Sequence, residues 1–230
     1  MVIKKDKRVK TRIVIPSDTD DNGPADNDRR DTKQQEEEKV AGYDIGLDIS
    51  TSVIGISILD EQGNLRVLNT VKLNSTKLTN LWEKADEGIR QIEEIVERSG
   101  LVKSDIRTIF VESAAKRFAV GFSSAATILT LSKFNGLISY LCYKTYSLPI
   151  IEVNVATARK NIGFTNIRAD KRPVKDKVFE YVTAKRPLFP WRKHVASAGK
   201  SKGQEVYDSD MKDACDAFVI VYGGKGVRTL

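Results

Sequence analysis

The stretch Gly46-Leu47-Asp48-Ile49-Ser50-Thr51-Ser52-Val53-Ile54-Gly55 sets one carboxylate in an otherwise apolar run, just ahead of a turn of small residues. The run Tyr43–Ile49 is short, and a second apolar run, Val53–Leu59, follows at once. Short apolar runs divided by turn residues read as two strands of a hairpin. Asp48 then lies inside or at the end of a central strand, where an unpaired carboxylate is costly. Either it closes the turn Ser50-Thr51-Ser52, a common use of Asp, or it answers to a cation or a metal. The choice rests on the other acids of the chain.

Downstream, Glu61-Gln62-Gly63-Asn64 reads as a turn and Leu65–Leu73 as a third strand, antiparallel to the second. Leu81, Ala85, Ile89, Ile92 and Val96 recur at helical spacing, and Gly100 stops that helix. The short run Ile106–Glu112 predicts a fourth strand, parallel to the first across the helical crossover. Ser123–Tyr146, broken only by Gly136, is too long for a strand and predicts a buried helix. Leu148–Val153 follows as a fifth strand, then Ala156–Ile162 and Val174–Ala184 as short helices. Lys185–Tyr207, with Pro187, Pro190, Trp191, Gly199 and Gly203, reads as loop. The last helix runs from Asp210 to Tyr222 and ends at Gly223-Gly224. The fold class is α/β, a mixed five-stranded sheet flanked by helices.

Residues 1–39 hold 10 basic and 10 acidic residues and a single apolar patch, Ile13-Val14-Ile15-Pro16, the composition of a disordered charged arm. Residues 40–230 read as one domain with a basic insertion at about 164–207. One histidine, His194, and two cysteines without ligand spacing, Cys142 and Cys215, argue against histidine catalysis, structural zinc or a disulfide scaffold. The expected setting is intracellular and reducing, with no signal peptide and no apolar run long enough to span a membrane. Net charge is +7, and 13 Lys/Arg face only 4 Asp/Glu between Arg159 and Glu205. A basic segment beside clustered carboxylates suits a nuclease, in which cations hold phosphates and acids hold metal.

Glu112 repeats the oddity of Asp48, a lone acid closing the apolar strand Ile109-Phe110-Val111. If the two strands are parallel neighbours, both acids emerge at carboxyl ends, where sites of open sheets gather. Asp210, Asp213 and Asp216 recur every three residues on one helix flank. Asp208 and Asp210 suit the positive helix N-terminus, whereas Asp213 and Asp216 lie further in, and like charges so placed call for a cation. Hard oxygen ligands of this kind suit Mg²⁺ or Mn²⁺.

Gly46-Leu47-Asp48-Ile49-Ser50…Gly55, Phe110-Val111-Glu112 and Asp213-Ala214-Cys215-Asp216-Ala217-Phe218 together resemble the RuvC-type Holliday junction resolvases of the RNase H-like superfamily. Leu148–Asn154 followed by Ala158-Arg159-Lys160-Asn161-Ile162-Gly163 resembles that family's fifth strand and next helix. The resemblance spans about residues 42–224. It implies an RNase H-like fold and Asp48, Glu112, Asp213 and Asp216 as catalytic, metal-holding residues. It also implies two Mg²⁺ (or Mn²⁺) ions, a homodimer and branched DNA as substrate, with no membrane and no small-molecule cofactor. Asp48 would bridge both ions, Glu112 and Asp213 would complete one or the other, and Asp216 would hold the ion that activates water. Candidate nucleic-acid contacts are Lys116, Arg117, Phe118, Arg159, Lys160, Lys171, Arg172, Lys175 and Lys177. The sequence departs from the family in its longer Phe164–Tyr207 segment and in the distance of Phe118, the candidate wedge, from Glu112. A viral or phage-like member would fit these departures.

The apolar helix Ser123–Tyr146 is the expected dimer surface, with Tyr140, Tyr143 and Tyr146 serving as core or dimer contact. Phe189 and Trp191 either stack on an unpaired base or anchor the long loop, and His194 reads as a surface residue. Three rivals stand beside the resolvase reading: an RNase H-like enzyme acting on RNA–DNA hybrids or flaps, a non-catalytic nucleic-acid-binding module, and an actin-like ATPase. The ATPase needs a second domain and a second glycine-rich phosphate loop.

Overall fold

Along β1 (Tyr43–Ile49) successive side chains point to opposite faces of the sheet, and the two sets differ in kind. Ile45, Leu47 and Ile49 are apolar and buried on one face, whereas Asp44, Gly46 and Asp48 share the other. The computed structural model describes residues 42–113, 124–166, 169–199 and 201–226. The 1–39 arm lies outside them.

β2 (Val53–Leu59) and β3 (Leu65–Lys72) extend β1 as an antiparallel meander. Ser50 closes the first turn: its hydroxyl donates to the Val53 carbonyl at 2.7 Å and accepts from the Val53 amide at 3.1 Å. Asp48 is therefore not needed there. α1 (Leu81–Arg98) starts at Asn80, whose side-chain oxygen accepts from the Trp82 and Glu83 amides at 3.0 Å each. It crosses back to β4 (Ile106–Glu112), which pairs parallel with β1. α2 (Ala125–Tyr146) makes a second crossover to β5 (Ile150–Val153), parallel to β4. Then follow α3 (Val155–Asn161), α4 (Val174–Lys185), a hairpin of β6 (Lys193–Val195) and β7 (Glu205–Tyr207), and α5 (Met211–Gly224). The main sheet runs β3-β2-β1-β4-β5, the mixed five-stranded arrangement expected from the sequence.

Two cores result. Ile45, Leu47, Ile54, Ile56 and Val111 pack against Ile92 of α1 and Phe134 and Ile138 of α2. Leu59, Phe110 and Val153 on the opposite face pack against Ala158, Val178, Ala214 and Phe218 of α3, α4 and α5. The acids of β1 and β4 belong to this second face, beneath α5. Helix and sheet meet closely there because two glycines remove the spacer. A Cβ on Gly46 would stand 2.4 Å from the Ala217 carbonyl oxygen, and one on Gly55 would stand 2.3 Å from that of Asp213.

Two expectations need correction. The Lys185–Tyr207 segment is not all loop: strands of three residues are too short to display alternation, yet β6 and β7 pair in register from Lys193↔Tyr207 to Val195↔Glu205. Gly223 and Gly224 end α5 as expected, and they also permit close contact. A Cβ on Gly223 would meet the Ala158 carbonyl oxygen at 2.4 Å, and one on Gly224 the Phe110 ring at 2.7 Å. Nor is α2 buried all round. Phe134, Ile138, Cys142 and Tyr146 form its single buried stripe, and Leu129, Tyr140 and Tyr143 are 57%, 59% and 53% exposed.

Gly55→Ala is expected to destabilise the protein by about 1–3 kcal/mol through overpacking beneath α5. Gly136→Ala, which adds a methyl into open space on a helix, should stabilise it by about 0.5–1 kcal/mol. Urea unfolding midpoints check both. A wild-type midpoint for Gly55→Ala would show that the close approach is not required.

Candidate active site

Asp48 stands one residue before the end of β1, in register with Gly55, and Glu112 is the last residue of the neighbouring parallel strand β4. The Asn135 side chain fixes that strand end by donating to the Glu112 carbonyl at 2.9 Å. α5 crosses over the pair with Asp213 in its first turn and Asp216 one turn later. The helix starts at Met211, so the dipole also favours Asp213, contrary to its expected place deeper in the helix. Asp216 is buried, at 9% exposure, and has no such support.

The cations that answer these acids come from α3 and α4. Arg159 Nη2 lies 3.2 Å from Asp216 Oδ1, and the Arg159 Nε is buried without a hydrogen-bond partner. Lys175 Nζ contacts the Asp213 carboxylate and stands 3.9 Å from Asp216 Oδ2. Among the described residues no three acidic, His or Cys side chains close around a single point. The acids converge, with an ammonium group against two of them.

This balance is incomplete at Asp48. Burial, then the charges of Asp216 and Glu112 and a hydrogen bond shared with Glu112, push its carboxyl well above the ordinary carboxylate range; Lys175 opposes them. Burial also raises Asp216, despite Arg159 and Lys175. Lys175 loses by desolvation but gains more from Asp213, Asp216 and Asp48, so its ammonium form is favoured.

Of the residues expected in the site, Asp48, Glu112, Asp213 and Asp216 come together, with Arg159 and Lys175 beside them. Asp210 does not join. Its carboxylate accepts from the Thr70 hydroxyl at 3.0 Å and pairs with Arg192 at 3.3 Å and Lys72 at 3.4 Å. Lys160 is exposed and lines a cleft of about 430 Å³ with Arg159, Gly163, Phe164, Asn166 and Val174. Lys171 is exposed, and Arg172 pairs with Asp170 at 2.8 Å and Glu180 at 2.9 Å. Lys177 is a correction: it is buried, donating to Asn166 Oδ1 at 2.7 Å and the Asp170 carbonyl at 2.8 Å, and so braces the segment before α4 rather than meeting solvent. Lys116, Arg117 and Phe118 lie outside the described residues. Phe189 and Trp191 are loop anchors, packed edge to face at 5.3 Å. A cavity of about 860 Å³ lies at the other end of the sheet, beside Tyr43 and Leu65.

Sequence reasoning passed over Asp44, four residues before Asp48 and on the same face. It is fully buried, with Arg107 Nη2 at 2.6 Å and Lys225 Nζ at 3.1 Å. The signal was present as a second acid in phase with Asp48 inside the same apolar run.

The chain is thus an α/β protein with a mixed β3-β2-β1-β4-β5 sheet and acids at the carboxyl ends of two parallel strands beneath its last helix. No family model and no curated protein matches the sequence. Among solved structures it is similar to T. thermophilus RuvC in complex with Holliday junction substrate, at 12% identity and a TM-score of 0.49, over 82% of this chain and 96% of that one. It is also similar to the yeast mitochondrial Holliday junction resolvase Ydc2, at 13% identity and a TM-score of 0.45, over 78% and 76% of the two chains. A third likeness is to the large terminase nuclease from thermophilic phage G20c, at 13% identity and a TM-score of 0.35, over 79% and 81%.

Because the raised Asp48 carboxyl binds its proton more tightly folded than unfolded, its ionisation weakens the fold as pH rises from the ordinary Asp range toward its own raised value. Asp48→Asn removes that cost. In metal-free buffer at neutral pH it should raise Tm, by about 2–4 °C for each kcal/mol of repulsion relieved, while Lys175→Ala should lower it. Thermal unfolding followed by circular dichroism reads both shifts. An Asp48→Asn protein melting below wild type would mean that the acids are not in repulsion.

Proposed function

We propose that the protein is a metal-dependent endonuclease that resolves four-way DNA junctions by hydrolysing phosphodiester bonds. The observation that carries the reading is the pairing of Asp48 with both Glu112 and Asp216, like charges that raise its carboxyl, with Lys175 linking Asp216 to Asp213. The donors are all hard carboxylate oxygens, which fits Mg²⁺ or Mn²⁺. Bound there, a pair of such ions would stabilise charge on the pentavalent phosphate and make water nucleophilic near neutral pH. Asp48 would serve both ions, Glu112 and Asp213 one each, and Asp216 the ion on the water side. No histidine is required.

The rest of the work falls to the cations around the acids. Arg159 and the exposed Lys160, on adjacent positions of α3, orient the phosphodiester along their cleft. Lys175, beside Asp213 and Asp216, would offer its ammonium group to the phosphate. A resolvase cuts two strands symmetrically and so needs two sites. The exposed Leu129, Tyr140 and Tyr143 on α2 support a two-fold contact between copies of the chain.

The test is cleavage of a synthetic four-way junction beside linear duplex, flap and RNA–DNA hybrid, in Mg²⁺, Mn²⁺ or EDTA. Paired symmetric nicks in the junction are expected with either metal and none with EDTA. Asp48→Asn should lose about 10³-fold or more in rate, the scale of an essential group in a catalytic constellation, with folding and junction binding kept. Cutting of hybrids or flaps alone would retain the acidic site and remove the junction from the proposal. Tight binding without cutting would make the protein a binding module.

A further inference from the structure

The β6–β7 hairpin covers no core. All three residues of β6 are exposed, as are Glu205 and Tyr207 of β7, and Val195 is 66% exposed. A two-stranded ribbon this short is not stable in water on its own. Its root explains why it forms. Tyr207 meets Phe179 edge to face at 5.1 Å, Trp191 meets Phe179 at 5.7 Å and Phe189 at 5.3 Å, and the Trp191 Nε1 donates to the Arg186 carbonyl at 3.0 Å. His194 Nδ1 lies 2.7 Å from the Asp208 carboxylate. Four aromatic side chains thus secure a hairpin whose strand residues are mostly exposed.

The root also fixes where the hairpin stands. Arg192, its first residue, pairs with Asp210, the residue that opens α5 one turn before Asp213. Asp210 in turn holds Thr70 and Lys72 at the end of β3. That end of β3 pairs with Val53, next to the end of β1 that carries Asp48. The hairpin therefore rises from the same end of the sheet as the acids. From Arg192 to Glu205 the chain carries Arg192, Lys193, Lys200 and Lys202 against one acid, and its turn is built of Ala196, Ser197, Ala198, Gly199, Ser201 and Gly203. Cations on a narrow, small-residue ribbon can approach a phosphate backbone closely without reading bases. Lys202 is exposed. Lys193 pairs with Glu205 at 2.9 Å across an exposed strand pair, a link weak enough for a phosphate to replace.

We propose that the hairpin is a clamp on the sugar-phosphate backbone of the substrate, with Lys193 and Lys202 contacting phosphates of the duplex arm that flanks the cleaved strand. The proposal rests on the nuclease reading and extends it to a segment that no motif assigned. The test is binding of a fluorescent four-way junction in EDTA by wild type and Lys193→Ala/Lys202→Ala, over a range of salt, with cleavage in Mg²⁺ at saturating protein. Removing two phosphate contacts should make the slope of log affinity against log salt shallower by about 2 and weaken binding at least about tenfold near 0.1 M salt. The saturated cleavage rate should hold. A double variant that binds with wild-type affinity and slope would overturn the clamp while leaving the nuclease intact. A wild-type protein that binds no DNA would overturn the nuclease reading and the clamp with it. Replacing Ala196–Gly203 by Gly-Gly should reproduce the binding loss, and circular dichroism confirms that each variant folds.

Discussion

The missing side chains of Gly46 and Gly55 decide how near α5 lies to the sheet, and the chemistry of the molecule follows from that distance. With the Asp213 carbonyl set over Gly55 and the Ala217 carbonyl over Gly46, the helix has little freedom to roll or lift. Its acids at three-residue spacing are thereby directed to the end of β1, where Asp48 waits in register with Gly55. A methyl group at either glycine would meet backbone, which yields less readily than a side-chain tip. The same closeness recurs at the far end of the helix, where Gly223 rests on Ala158 and Gly224 on Phe110. Close contacts at both ends hold the helix level.

Asp44 and Asp48 show what distinguishes a compensated acid from an uncompensated one. They share a strand and a face, and burial penalises both. Asp44 meets Arg107 through two nitrogens, at 2.6 and 3.2 Å, and Lys225 besides. These outweigh its burial and hold its carboxyl below the usual range. Asp48 meets Glu112 and Asp216 instead and is driven the other way. A fold selected for stability alone would have answered the second acid as it answered the first. Crowding like charges where they destabilise the fold is the mark of a site kept for what it binds.

Much of this was legible in the sequence because it depends on short-range pattern. β4 and the start of α1 fall where apolar runs and helical spacing placed them. Asp48 and Glu112 stand out because an acid closing an apolar strand needs no tertiary knowledge to look anomalous. Less was legible where distant parts of the chain decide the outcome. The pairing of β6 with β7 depends on Phe179, in another helix, packing beneath Tyr207. A Gly-Gly pair reads as a helix end, and only Ala158 and Phe110 against it show its second role in close packing. Lys177 looked like its neighbours Lys171 and Lys175 in a basic run. Only its acceptors, the Asn166 side chain and the Asp170 carbonyl, turn it inward.

The two ends of the sheet are consequently unlike in electrostatic terms. At the start of β1, Asp44, Glu61, Arg107 and Lys225 form a mutually compensated group, with Lys225 also donating to the Asp60 carbonyl at 2.9 Å. At the other end negative charge exceeds what Arg159 and Lys175 neutralise, and the basic surface of α3 stands around it. Field lines from such an arrangement favour a ligand carrying both signs, a cation for the acids and a polyanion for the rim. The closed end fixes α5 so that the open end can hold its acids together against their repulsion. A helix free to shift would let Asp213 and Asp216 move apart, relax the repulsion and dissolve the site. The ion pairs around Asp44, at the opposite end of the sheet, are in this sense part of what keeps Asp48 crowded by like charge.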